Sequence, residues 1–169
     1  MDKLLARSIR PLPSLAPDWY AIPLRLIVGY GFLAHGIAKL LRGPQSFIDI
    51  LGALGVFEPF LSGWATILIE IFGGLAVIAG LFIPLASVPM IVVLLVAIFT
   101  VHLPNGFSSI KLLSVTSAGA HFGQPGYETD LLYLAAIVAL VLGGSGPLAL
   151  DRALVRWWTG ARSSRALRV

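Results

Sequence analysis

The stretch FLSGWATILIEIFGGLAVIAGLF, residues 60–82, decides how the chain must be read. It is apolar almost throughout, and about 20 apolar residues at a rise of roughly 1.5 Å each cross the hydrocarbon core of a bilayer. One acidic residue, Glu70, stands near its middle. A charge at that depth costs about 3 kcal/mol even on permissive insertion scales, so it needs a partner and marks a functional site by default.

Composition places the rest of the chain in the same medium. Of the 169 residues 57% are hydrophobic and 12% charged, whereas a soluble domain carries about twice that charged fraction. The apolar residues fall in four blocks, 20–41, 60–82, 85–103 and 127–142, separated by Pro, Gly and polar clusters. The last is short for a span. The pattern predicts an all-α integral membrane protein, a bundle of four transmembrane helices. It divides into a tail (1–19), the four-helix domain (20–146) and a basic tail (147–169).

Basic residues set the expected orientation. Lys3, Arg7 and Arg10 precede the first span, and Arg152, Arg156, Arg162, Arg165 and Arg168 follow the last, so eight of the twelve Lys and Arg lie on the tails. The positive-inside rule then puts both termini in the cytoplasm of an inner-membrane protein, which requires an even number of spans. The N-terminal basic residues lead into Pro11, Pro13 and Pro17, unlike a cleaved secretory signal. The net charge of +4 reads as topology and anionic-lipid contact, not nucleic-acid binding. Within 148–158, Leu150, Leu154 and Trp157 recur at helical spacing opposite Arg152 and Arg156, the pattern of a short interfacial helix.

Two connections remain. In 42–59, Phe47, Ile48, Leu51 and Leu54 share a face, predicting a short helix over 45–54 on the outer surface. The stretch 104–126 reads as a surface loop or partial helix and not as a fifth span. Cysteine is absent, which excludes thiol redox chemistry and disulfides within this chain.

The chemistry must lie with polar residues in the spans. His35 and Lys39 are four apart and project from one face of the first span, with Gly31 and Phe32 beneath them. Arg25, nearer the inner surface, is expected to snorkel. Glu70 descends to near mid-depth on the second span, with His35 roughly 5–10 Å further out by the helical rise, and Gly63, Gly73 and Gly74 predict a small-residue seam where another helix approaches. His102 ends the third span, Glu128 and Asp130 open the fourth, and His121 lies between them. His35, Lys39, Glu70, His102 and Glu128 are thus expected to line one cavity in the outer half of the bundle. A metal site is disfavoured, because no short His or Glu ligand motif sits on a single helix.

These residues carry a family resemblance. HGIAK (His35, Gly36, Lys39), EIFGG (Glu70, Gly73, Gly74), His102, YE (Tyr127, Glu128) and GSGPLALD (Gly144, Gly146, Leu150, Asp151) follow one another over residues 20–152 in an order that resembles the DoxX family. The resemblance implies a four-span inner-membrane protein described as an oxidoreductase subunit. Related DoxD-type proteins form the membrane part of a thiosulfate:quinone oxidoreductase, and some DoxX members join an oxidative-stress complex. The long connection between His102 and Glu128, with His121 and Asp130, departs from the pattern.

Three functions fit. The first is a membrane subunit of a redox complex whose polar cluster binds a membrane quinone or relays protons to it. His35 and Lys39 would donate hydrogen bonds, Glu70 would exchange protons, and electrons would come from a partner protein, since the chain shows no haem, flavin or iron–sulfur motif. The second is a non-enzymatic scaffold in which Glu70 forms a structural ion pair, Lys39 anchors its helix, and Glu128 and Asp130 favour a helix N-terminus. The third is a small proton-coupled transporter or channel.

Overall fold

The computed structural model describes residues 18–166 and side-chain surroundings as far as residue 158. The N-terminal tail with Lys3, Arg7 and Arg10 lies outside the described residues, as does Arg168. The elements are helices α1 (Ala21–Arg42), α2 (Pro44–Ala53), α3 (Pro59–Ala79) and α4 (Ile83–Asn105), a hairpin of β1 (Leu112–Thr116) and β2 (Gly119–Phe122), and helices α5 (Glu128–Gly143) and α6 (Leu150–Ala166).

Proline and left-handed backbone punctuate this path. Gly43, at φ 93°, separates α1 from α2, which Pro44 opens. Glu58, at φ 45°, precedes Pro59 and α3. The stretch 60–82 is not all helix: α3 stops at Ala79, and Gly80 (φ 66°) and Phe82 (φ 47°) turn the chain into α4. The next helix starts at Ile83 instead of 85, because Pro84 fits a first helical turn, where no N–H is needed.

Helices α1, α3 and α4 are long and apolar enough to cross a membrane. Helix α5, with 16 residues, spans roughly 24 Å at 1.5 Å per residue. Helix α1 packs on α3 and α5, and α4 packs on α5 and α3. Between them lies a core that includes Val28, Phe32, Val77, Met90, Ile137 and Leu140. Outward sides stay apolar and exposed, as at Leu41, Leu85 and Leu142, which suits lipid on one side and protein on the other.

The predicted short helix over 45–54 is α2, which buries Ile48 and Leu51 and packs on α3 and α1. The segment 104–126 differs from the surface loop or partial helix expected. Leu112–Thr116 and Gly119–Phe122 pair antiparallel, with every strand residue exposed. The chain reverses there through Gly119 at φ 124°, a conformation open to glycine. The tail helix is longer than expected, running from Leu150 to Ala166.

Candidate functional site

Two helical turns in this structure are widened, and each bears a predicted site residue. Residues Ile69–Gly73 of α3 form a π-turn that carries Glu70, and Ile98–His102 of α4 form another that ends in His102. A π-turn inserts one residue into an α-helix and is frequent at functional sites. Hydropathy carries no trace of such a turn.

Lys39 Nζ donates to both oxygens of Glu70, at 2.6 Å to Oε1 and 2.7 Å to Oε2. The Glu70 side chain is 7% exposed and that of Lys39 22%, so the carboxylate lies inside and the ammonium at the rim. Gly36 makes the reach short enough: a Cβ there would meet Ile71 Cγ1 at 2.8 Å and Glu70 Cβ at 3.0 Å. On its outer side Lys39 lies under Phe47 of α2, with Nζ 4.9 Å from the ring centroid, a cation–π contact. His35 is exposed on α1 and interacts electrostatically with the Glu70 carboxylate.

Hydrogen bonds divide the other predicted residues differently. His102 Nδ1 lies 2.5 Å from Oδ2 of Asp130, which is buried in the first turn of α5. Glu128 accepts a bond from the Ser109 backbone N–H at 2.9 Å and so fastens the loop before the hairpin. His121 is exposed on β2 and pairs across the hairpin with Ser114. The five residues expected along one cavity thus fall into a Lys39–Glu70 group flanked by His35, a His102–Asp130 pair, and Glu128 on a backbone amide. Among the described residues no three His, Asp or Glu side chains gather as a metal site.

The expected single glycine seam is three contacts with three neighbours. Gly63 faces Ile48 of α2, Gly73 faces Met90 of α4, and Gly74 faces Gly29 and Leu33 of α1. Adjacent helix residues point about 100° apart, so Gly73 and Gly74 cannot share a face.

Arg25 does not snorkel. It is buried, and its Nε donates to the Val77 carbonyl at 3.1 Å. One terminal nitrogen serves the carbonyls of Ser145 and Pro147, the other those of Ile78 and Leu148. Carbonyls at a helix end run short of intrahelical donors, so Arg25 supplements the Gly80 N–H on Val77 and serves Ile78, and a cation there also meets the negative end of the helix dipole. Beside it the Asp151 carboxylate accepts from the Phe82 N–H at 3.0 and 3.1 Å, while the Asp151 N–H donates to the Gly80 carbonyl. The GSGPLALD segment is therefore a clasp between the α3–α4 turn and α6, steadied by an Arg152–Asp18 ion pair.

Sequence reasoning missed three parts. Asp130 is not matched to His102 in the sequence, although one lies near the end of α4 and the other in the first turn of α5. Phe47 shares a face with Ile48, Leu51 and Leu54 in the sequence, and its contact with Lys39 has no sequence signal. Arg25 lost its role because its partners are carbonyls, which have no side-chain signature.

Comparison with known proteins agrees on kind. Residues 20–103 match the DoxX family. The chain is 32% identical over 128 residues, 76% of its length, to an uncharacterized protein of Haemophilus influenzae, covering 85% of that relative. It is 31% identical over 169 residues, 88% of its length, to an uncharacterized membrane protein of Mycobacterium tuberculosis, covering 97% of it. A Bacillus subtilis relative named "Putative oxidoreductase CatD" is 31% identical over 128 residues, 76% of this chain and 81% of the relative. No solved structure matches the chain. Three helices long and apolar enough to cross a membrane, the family match and these relatives lead to one conclusion: the chain belongs to the DoxX family of membrane proteins.

Proposed function

We propose that the chain is a membrane subunit of an oxidoreductase complex in the cytoplasmic membrane, with four spans including α5, both termini in the cytoplasm, and a working site at Lys39 and Glu70. The observation that carries the reading is the doubly hydrogen-bonded Lys39–Glu70 pair on a π-turn. A carboxylate held by one cation at the rim of the protein can take or release a proton when that cation is drawn toward another group. Reduction of a quinone-like acceptor needs two electrons and two protons. Glu70 would supply protons, and Lys39 and His35 would donate hydrogen bonds to the acceptor oxygens. Electrons would come from a partner protein, and the relative named as an oxidoreductase supports that class. The His102–Asp130 pair would pass protons at the outer surface, and Glu128 would hold the loop beside it.

The test is reduction of a soluble quinone analogue by the complex purified from its own membrane. The reading requires that Glu70→Gln and His35→Ala each lower the rate while the complex stays assembled. Unchanged rates in both would overturn it.

A specific observation also favours a scaffold. No buried side-chain nitrogen or oxygen lacks a hydrogen bond among the described residues, as in a network that fixes one helix arrangement. Under that reading Glu70→Gln would unfold the protein in detergent and leave no separate activity defect.

A further inference from the structure

The bundle does not close evenly along its length. His35 stands seven residues after Val28 and three after Phe32, within about 60° of both around α1 and about 160° from Ile37. It therefore points inward, between α3, which Gly36 touches, and α5, which Gly31 touches. Val28 and Phe32 are buried on this face, yet His35 is exposed. An inward side chain that stays accessible marks a space left open among the helices on the Lys39 side of Phe32.

Tyr133 of α5 reaches the same space. Its hydroxyl ends against Gly31, where a Cβ would overlap it. Helix side chains lean toward the N-terminus of their own helix, so the His35 imidazole covers the turn that holds Gly31. That turn is where the hydroxyl ends. Neither group makes a hydrogen bond among the described residues. No buried side-chain nitrogen or oxygen there lacks a bond, so both groups stay open to a small molecule. Two polar groups face one gap without bonding to each other.

The floor of the gap is aromatic: Phe32 and Tyr133 meet edge to face, with centroids 5.9 Å apart and 77° between the planes. The charges beside it are already matched, because Lys39 holds both oxygens of Glu70, so they recruit no ion. Two hydrogen-bonding groups are too few for a sugar. A few placed polar groups on an apolar, aromatic lining suit a flat ring with an oxygen on its edge.

We propose that His35 and Tyr133 form a binding site for a flat ring bearing a carbonyl or hydroxyl oxygen, with that oxygen between the imidazole and the phenol and the ring against Phe32. A carbonyl oxygen accepts from the Tyr133 O–H and from a ring N–H of His35; a hydroxyl accepts from one and donates to the other. The inference rests on the proposed site at Lys39 and Glu70, and it adds Tyr133 as the residue of α5 that positions the ligand. A soluble compound and the head of a membrane quinone offer the same chemistry, and the test separates them.

Tyr133→Phe removes a hydroxyl that bonds to no other described residue and keeps the ring. The chain, with its histidines labelled with nitrogen-15, is titrated in detergent with tetramethylbenzoquinone and with the counterpart in which a decyl chain replaces one methyl, while NMR follows the His35 ring. A saturable shift is expected, with Kd raised about tenfold in Tyr133→Phe, the factor that one hydrogen bond carries, and the thermal midpoint unchanged. A shift with the tailless ring sustains the site with a ligand from water; a shift with the tailed ring alone sustains it with a ligand from the membrane. No saturable shift with either ring, an equal Kd in Tyr133→Phe, or a lowered thermal midpoint in that variant overturns the site. Binding in a complex that reduces no quinone analogue would keep the site and remove the redox reading. Reductase activity without a His35 shift would do the reverse.

Discussion

Gly74 of α3 lies so close to Gly29 of α1 that a Cβ built on Gly74 would come within 2.6 Å of the Gly29 carbonyl oxygen and 2.8 Å of the Leu33 nitrogen. Two backbones in contact let dispersion hold the helices together where water cannot drive them. The same contact sets the height of α1 against α3, and with it the reach of Lys39 to Glu70.

Gly74→Ala should therefore push α1 away and lower stability by about 1–3 kcal/mol, the usual cost of overpacking. Thermal unfolding in detergent measures it. Gly52→Ala is the matched control, since a Cβ there meets Pro59 no closer than 3.8 Å. It should be neutral or stabilising by up to about 1 kcal/mol. Equal effects of the two would refute the contact's importance.

The ion pair predicts a pattern across single and double substitutions. Lys39→Met strands the buried Glu70 carboxylate and should cost about 3–5 kcal/mol if the carboxylate stays charged, less if it takes up a proton. Lys39→Met combined with Glu70→Leu should recover most of the loss, because two apolar side chains replace a pair that was costly to desolvate. A double variant as unstable as Lys39→Met would mean that the two residues act through other contacts.

Arg25→Met removes five hydrogen bonds to carbonyls. Each carbonyl left buried and unpaired costs about 1–3 kcal/mol, although Val77 keeps its bond from the Gly80 N–H and water can reach some of the others. The clasp should open before the helices separate. Limited proteolysis should then cut between Gly143 and Leu150 faster than in the native protein, with the core fragment intact. Arg25→Lys has three donors in place of five and a point charge instead of a fork, so intermediate cleavage is expected.

Asp130→Asn tests the outer pair. With only three histidines in the chain, nitrogen-15 labelling of histidine gives three resolvable rings. The His102 ring should change its tautomer balance in Asp130→Asn, while His121 on the hairpin should not move. Glu128→Gln should leave both rings unchanged and cost about 0.5–1.5 kcal/mol through its one backbone bond. A His102 ring insensitive to Asp130→Asn would rule out the pair.

Membrane class and the three long apolar helices were legible because hydrocarbon imposes a coarse rule on sequence: long apolar blocks, broken by Pro, Gly and charge. Glu70 stood out for the same reason, as did Lys39 at a suitable height. What escaped was everything that depends on backbone geometry. Arg25 answers carbonyls, which every residue possesses. The segment 112–122 has too few residues per strand for periodicity to distinguish a hairpin from a loop. Gly73 and Gly74 looked like one seam because adjacency in sequence was read as adjacency on a surface. His102 and Asp130 were both visible, but matching them required knowing how far α5 slides along α4.

The two π-turns bear on how this chain should be compared with its relatives. A π-turn is an α-helix with one extra residue, so its length is not fixed by the distance it crosses. Deleting a single residue from 69–73 would let α3 close into a regular helix and swing everything on one side of the deletion by about 100° around the axis. Glu70 would then meet a different neighbour with no change in the helix's outer shape. A one-residue gap opposite either turn in a related sequence is therefore a change of wiring, not a trimmed loop.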